Sequence, residues 1–347
     1  MTITTQKRKY NATFLMVAVA MLVPIFRASG QNGTSAYTFL DHPTSAHAFA
    51  LGGGSAALID DDVTLIDQNP ALLGPEIDRQ VALGYMHWLG SSNFASARYG
   101  MPAGERGAWA IGFRYLNHGT ITQTDANGTI GGSFSPQDIV IEGAYSHDIT
   151  DRLRGGIMLN AIYSNYEQYT AFALGVDLGI NYYNEENDCS FSAVIKNLGG
   201  QLKRFDKRYD RLPFDIRLGY MQSLGSSPFS INITAHSLTK WRIGSYKHDK
   251  EKEDDMEVKS NFFGNLFGHL NLGLQYQPSD KFYIALGYNY KTKAEMSTYQ
   301  RNFLSGFSVG MGLKVKAFRF NVAYAMPHKS GSSLMLNVST SLGELLN

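Results

Sequence analysis

From residue 79 onward, large apolar residues alternate with small or polar ones at a period of two, the pattern of strands with one face in an apolar environment. Trp109, Ile111, Phe113 and Tyr115 alternate with Ala108, Ala110, Gly112 and Arg114. Phe172, Leu174, Val176, Leu178, Ile180 and Tyr182 alternate with Ala173, Gly175, Asp177, Gly179 and Asn181. Similar runs occupy Phe214–Tyr220, Leu270–Tyr276, Phe307–Val315 and Phe318–Tyr324. The pattern predicts about fourteen strands, at 79–89, 92–101, 107–117, 136–148, 152–165, 170–183, 188–199, 212–224, 228–239, 269–277, 281–291, 303–316, 317–327 and 332–342.

The two faces decide between fold classes. A soluble sandwich turns its large apolar face inward and a charged face to water. Here the opposite face is mostly Gly, Ala, Ser and Asn, with isolated charges. That fits an all-β fold, a transmembrane antiparallel barrel with lipid outside and a packed or wet lumen inside. Connections sort accordingly. If the first strand runs outward, the even connections are all short, down to the Lys316–Ala317 junction. The long ones, such as 118–135, 200–211, 240–268 and 292–302, fall among the odd connections, three of which are short. Short periplasmic turns and long outer loops are what such barrels show.

Three parts are expected. Residues 1–30 read as a signal peptide: Lys7, Arg8 and Lys9 precede the apolar run Phe14–Phe26, and Ala28, Ser29 and Gly30 offer small residues for cleavage. That run is too short to span a bilayer as a helix. Residues 31–78 form a pre-barrel segment with little alternation, expected to be compact with a short helix or turn. Residues 79–347 form the barrel.

Composition agrees. Charged residues are 18% of the chain, and there are 20 Tyr, 20 Phe and 35 Gly. A net charge of +1 gives nucleic acid nothing to bind. The single cysteine, Cys189, excludes an internal disulfide and a cysteine-built zinc site.

Candidate chemistry is sparse. No His-Glu-x-x-His, Gly-x-Ser-x-Gly or phosphate-loop pattern occurs, so no catalytic, cofactor or metal residue is assigned. Asp60-Asp61-Asp62 lacks the spacing of a calcium loop and fits a helix cap better. Gly52-Gly53-Gly54 fits close approach and positive φ better than nucleotide binding. Arg114, Asp138, Glu142, Asp177, Asp215, Arg217 and Arg319 are expected to pair inside the lumen, where such pairs can also shape a ligand path. The charged run containing Lys247, Asp249, Glu251 and Asp254 falls in the longest outer loop, a solvated segment or a contact surface for a partner.

The motif Ala50-Leu51-Gly52-Gly53, the acidic run after it and Gln68-Asn69-Pro70-Ala71 together resemble the pre-barrel signature of FadL-like outer-membrane proteins. Ala82-Leu83-Gly84-Tyr85, Trp109–Gly119, Lys196-Asn197-Leu198-Gly199, Leu212-Pro213-Phe214-Asp215 and Leu286–Tyr290 are similar to the PorQ branch. The resemblance covers nearly the whole chain after residue 31. It implies a fourteen-stranded barrel, residence in the outer-membrane lipid, and an N-terminal segment folded into the lumen as a plug. It also implies a non-enzymatic role in type IX protein secretion, alongside PorU-, PorV- and PorZ-like partners that mature and attach cargo at the cell surface. The alternative expectation is a FadL-like transporter or binder of hydrophobic small molecules.

Overall fold

The computed structural model describes residues 36–124, 127–207, 209–241, 246–248, 256–258, 262–296, 304–328 and 331–346. Fourteen antiparallel strands close into a barrel. In chain order they are β1 Gln80–His87, β2 Asn93–Pro102, β3 Gly107–Asn117, β4 Gln137–Thr150, β5 Leu153–Tyr166, β6 Tyr169–Asn184 and β7 Cys189–Lys203. There follow β8 Asp215–Ser223, β9 Phe229–Ala235, β10 Leu270–Ser279, β11 Phe282–Asn289, β12 Phe307–Val315, β13 Phe318–His328 and β14 Gly331–Ser341. Each strand pairs with its sequence neighbours, and β1 pairs with β14 from Gln80↔Ser341 to His87↔Leu334. Closure removes every sheet edge, which hydrocarbon demands because it offers no partner to a free N–H or C=O.

The alternation sets which side chains meet lipid. Leu83, Ile111, Ile141 and Leu159 point outward at 58%, 55%, 60% and 57% exposure. Their neighbours Ala82, Ala110, Val140 and Met158 are buried. A soluble protein does not leave so continuous an apolar exterior in water. Such a surface on a closed barrel places the chain in an outer membrane. No helix among the described residues is long and apolar enough to cross a membrane.

At the end bearing Gln80 and Ser341 the connections are 103–106, 151–152, 185–188, 224–228, 280–281 and 316–317. At the other, outer end they are 88–92, 118–136, 167–168, 204–214, 236–269, 290–306 and 329–330. The long ones carry structure that alternation could not predict. The hairpin Ile121–Thr124 with Ile130–Phe134 stands in one, and the helices Phe262–Gly268 and Tyr290–Met296 stand in two others. The ladder stops at Ala235 rather than 239, where Ser237 turns to φ +56°. It stops at Asn289 rather than 291, because the Asn289 carboxamide accepts from the Thr292 N–H at 3.0 Å and starts a helix.

Residues 36–78 lie inside the barrel, and the hydrophobic core is the contact between this inner segment and the wall. Phe49, Leu51, Leu58 and Leu65 pack with Met86, Tyr283, Ala285, Ala323 and Met335. Val63, Ile66, Leu73 and Ile77 pack with Ala108, Ala110, Ala144 and Met158. Tyr37, Phe39 and Leu40 pack with Leu116, Val140 and Ile162. The small residues of the inward face are the seat. A Cβ on Gly310 would come 2.7 Å from that of Ala50, one on Gly219 2.8 Å from that of Ala57, and one on Gly273 2.7 Å from a methyl of Leu51.

Candidate functional site

Short capped turns build the inner segment. The Ser45 hydroxyl accepts from the Ala48 N–H and starts the helix Ala46–Ala50. The Asp62 carboxylate accepts from the Thr64 N–H at 2.8 Å and starts the 3-10 turn Val63–Asp67. Of the acidic triplet, one member is therefore a cap. Asp60 instead pairs with Arg319 of β13 and lies 2.9 Å from His47, whose ring stacks on Tyr283 and bonds Gln275. Burial opposes ionisation of Asp60, but Arg319 and His47 outweigh it and hold the carboxyl well below the usual range.

The two halves of the pre-barrel signature separate. Gly52 and Gly53, at φ +97° and +91°, turn the chain after the helix, with Leu51 buried behind them. The Gly52 N–H donates to Ser308 Oγ at 3.1 Å, and Asn289 Nδ2 donates to the Gly52 carbonyl at 3.1 Å. Asn69 caps the turn Pro70–Leu72 by accepting from the Ala71 N–H, and donates to the Ala56 carbonyl at 3.0 Å. Asn69 and Pro70 sit against Gly156 and Gly179 on β5 and β6, so they dock the segment rather than line a cavity.

The lumen charges form several clusters. Glu142 on β4 lies between Arg98 and Arg114, each 2.7 Å away and all three buried. Arg98 also donates to the Thr64 carbonyl at 2.7 Å and to Thr44 Oγ, and stands 3.6 Å from Asp67. Asp215 and Arg217 pair at 2.9 Å, and Arg217 reaches Asp41 of the inner segment at 2.7 Å. Asp177 accepts from the Asn197 N–H at 2.6 Å and stands 3.4 Å from Lys196, which donates to the Asp67 carbonyl. Asp138 bonds Ser164, Tyr166 and His118. Four wall residues, Arg98, Lys196, Arg217 and Arg319, thus bond the inner segment rather than reaching across an open channel.

Several roles were not assigned from sequence. Arg98 and Lys196 have the inward parity of their strands, so strict alternation flags them. His47 and Asp67 have no such signal, and Asp60, considered with the acidic triplet as a cap, pairs with the wall instead. Asn197 turns inward beside Lys196 because a bulge sets both opposite Asp177 and brings Asn197 to φ +56°. Of the outer-loop candidates, Lys247 falls in the short strand Tyr246–His248, paired with Met256–Val258. Asp249, Glu251 and Asp254 lie outside the described residues.

At the outer mouth a cavity of about 230 Å³ opens between the inner segment and the wall. Its lining is mixed: Pro43, Phe49, Trp88, Ala325 and Pro327 contribute apolar surface, and Arg217, His236, Asn271, Asn289, Lys291 and Glu295 polar surface, with Gly52–Gly54 among them. His42, also in the lining, packs on Trp88 at 4.3 Å and on Phe94 at 5.4 Å between ring centroids. Burial lowers the His42 imidazole to about 4, helped by His118 and Arg114, so the ring is neutral at pH 7. Among the described residues no group of three or more His, Cys, Asp or Glu stands together to hold a metal ion. A recess lined by both apolar side chains and hydrogen-bonding groups has the form of a small-molecule site.

No family model and no curated protein matches the chain. Solved structures do. The Ralstonia pickettii toluene transporter TbuX aligns at 12% identity over 86% of this chain and 96% of its own, with a TM-score of 0.52. The Pseudomonas putida toluene transporter TodX aligns at 12% identity over 86% of this chain and 97% of its own, at 0.53. The monoaromatic hydrocarbon channel CymD aligns at 13% identity over 88% and 97%, at 0.52. At such identities the likeness is one of fold. The chain, a closed barrel of fourteen antiparallel strands, shares the fold of these solved transporters and channel.

Proposed function

We propose that this protein binds hydrophobic small molecules at the outer mouth of its barrel and passes them toward the cell. The observation that carries the reading is the cavity of about 230 Å³ with Phe49, Trp88, Ala325 and Pro327 in its lining. An apolar cavity of roughly 150 Å³ already holds a benzene-sized guest. The polar groups of the lining orient a ligand, and the apolar ones supply the transfer energy. The toluene transporters and hydrocarbon channel that share the fold support the same direction. Onward passage requires the Gly52–Gly54 strap to give way, since the segment beneath it fills the lumen.

The test is uptake of radiolabelled toluene by cells with and without the chain. Deletion slows uptake and complementation restores it. Equal uptake in both strains contradicts the proposal.

A second reading rests on the PorQ-like motifs, Trp109–Gly119 and Leu212–Asp215 among them: a non-enzymatic subunit of type IX secretion, holding PorU-, PorV- or PorZ-like proteins at the surface. Affinity purification from native outer membranes separates the two. Recovery of such partners, with toluene uptake unchanged by deletion, favours the secretion role.

A further inference from the structure

The barrel wall is uneven. β4 to β7 contain 14, 14, 16 and 15 residues, whereas β8 to β12 contain 9, 7, 10, 8 and 9. At ~3.4 Å per residue the shortest strand, Phe229–Ala235, is ~24 Å long, and a tilt of ~45° reduces its height to ~17 Å. An outer-membrane barrel presents an apolar band ~25 Å tall. On this side the strands therefore fall short of the lipid they face.

The helix Phe262–Gly268 follows that short strand in the chain and leads into β10 at Leu270. Its side chains are divided. Phe262, Phe263, Leu266 and Phe267 are exposed at 62%, 66%, 36% and 46%, while Asn265 and Gly268 are buried. At ~100° per residue the four apolar side chains span an arc of ~140°, with Asn265 and Gly268 on the other side. Trp241 extends the patch, 52% exposed and 5.8 Å from Phe262 between ring centroids. It is held in place. The buried His269 ring stacks on the indole at 5.5 Å and meets the Trp241 carbonyl at 3.1 Å, while Asn265 O accepts from the His269 N–H at 3.2 Å. The patch stands directly before β10, whose Leu272, Leu274 and Tyr276 have outward parity.

We propose that the helix Phe262–Gly268, with Trp241, docks into the outer-leaflet lipid and completes the apolar belt above the shortest part of the wall. Its place at the head of a lipid-facing strand, next to the shortest strand of the wall, selects this occupant. A helix with Phe and Leu on one face and a neighbouring Trp has the composition of an interfacial element. The consequence is that the helix and Trp241 are anchored on the membrane at the outer end of the barrel, instead of standing free in water.

The experiment uses the full-length barrel with Cys189→Ser and one added thiol, Phe263→Cys, labelled with bimane. It is reconstituted in phosphatidylcholine vesicles with or without bromine on acyl carbons 6 and 7. Thr122→Cys, in the exposed hairpin Ile121–Thr124, is the water-facing control. The proposal expects brominated lipid to reduce bimane emission at Phe263→Cys at least twofold and to leave Thr122→Cys unchanged, with iodide quenching in the reverse order. Leu266→Cys repeats the measurement in case the first variant does not fold. Strong iodide quenching without bromolipid quenching at both helix positions overturns the proposal. So does a label open to iodide in the vesicles but protected in native outer membranes, which would mean that a protein covers the patch.

Discussion

The Arg98 guanidinium on β2 donates through both Nε and Nη2 to one oxygen of Glu142 on β4, at 3.1 and 2.7 Å, while its Nη1 reaches the Thr64 carbonyl of the inner segment at 2.7 Å. One side chain thus joins two strands to the segment that fills the lumen, with the Arg98 and Glu142 side chains only 1% and 0% exposed. Removing one partner of a buried pair leaves the other charge uncompensated and costs about 3–5 kcal/mol. Glu142→Ala, which leaves the buried Arg114 without its carboxylate partner as well as breaking the Arg98 pair, is expected to lower folded stability by about that amount, read from urea titration in detergent micelles. The pair Arg98→Met with Glu142→Met should lose less than the two single variants summed. Additive losses contradict a direct coupling.

The seat made by small residues gives a different failure. A Cβ on Gly287 would collide with the backbone of Gly52 and Leu51. The ladders that Gly287 makes with β10 and β12 use its backbone alone, so in Gly287→Val the barrel still forms and the inner segment is displaced. Gel migration should stay heat-modifiable while conductance in planar bilayers rises. Unchanged conductance contradicts the account of how the lumen is closed.

His42 makes the segment's seating depend on pH. A free imidazole titrates near 6.5, and the seated ring only at about 4. Between these values the released segment binds a proton that the seated one does not. The seating is therefore complete above pH 6.5 and weakens as pH falls toward 4. Protease cleavage within residues 36–78 should accelerate from pH 7 to pH 4.5 and become less pH-dependent in His42→Phe. A steeper profile in that variant contradicts this reading.

Deleting Lys247–Asp255 should leave a folded barrel. β9 and β10 pair from Phe229↔Tyr276 to Ala235↔Leu270 without those residues, and loop-closure entropy changes slowly with loop length. The folded band on an unheated gel checks it, and its loss contradicts the expectation.

Much of the fold was legible because lipid rewards a strict period. Leu83 and Ile111 face out and Ala82 and Ala110 face in, and the observed strands fall within a few residues of those that alternation predicts. The inner site was less legible because its contacts are distant in the chain and obey no period. Asp60 meets Arg319 across 259 positions, and Ala46 meets Asn337 across 291. The Gly-rich motif was recognised as a place of close approach. That it borders a cavity depends on Trp88 and Pro327, which come from an outer connection and a strand end far apart in the chain. The aromatic helix Phe262–Gly268 was read as part of a long loop, since seven residues without repetition give no helical signal.

The most direct measurement is toluene binding to the barrel in lipid nanodiscs, with Trp109→Phe and Trp241→Phe so that emission reports Trp88 in the cavity wall. The account predicts saturable quenching that is lost when Ala325→Phe fills the same cavity. Linear, unsaturable quenching that is identical in the filled variant would mean that toluene merely partitions into lipid, and would contradict the proposed site.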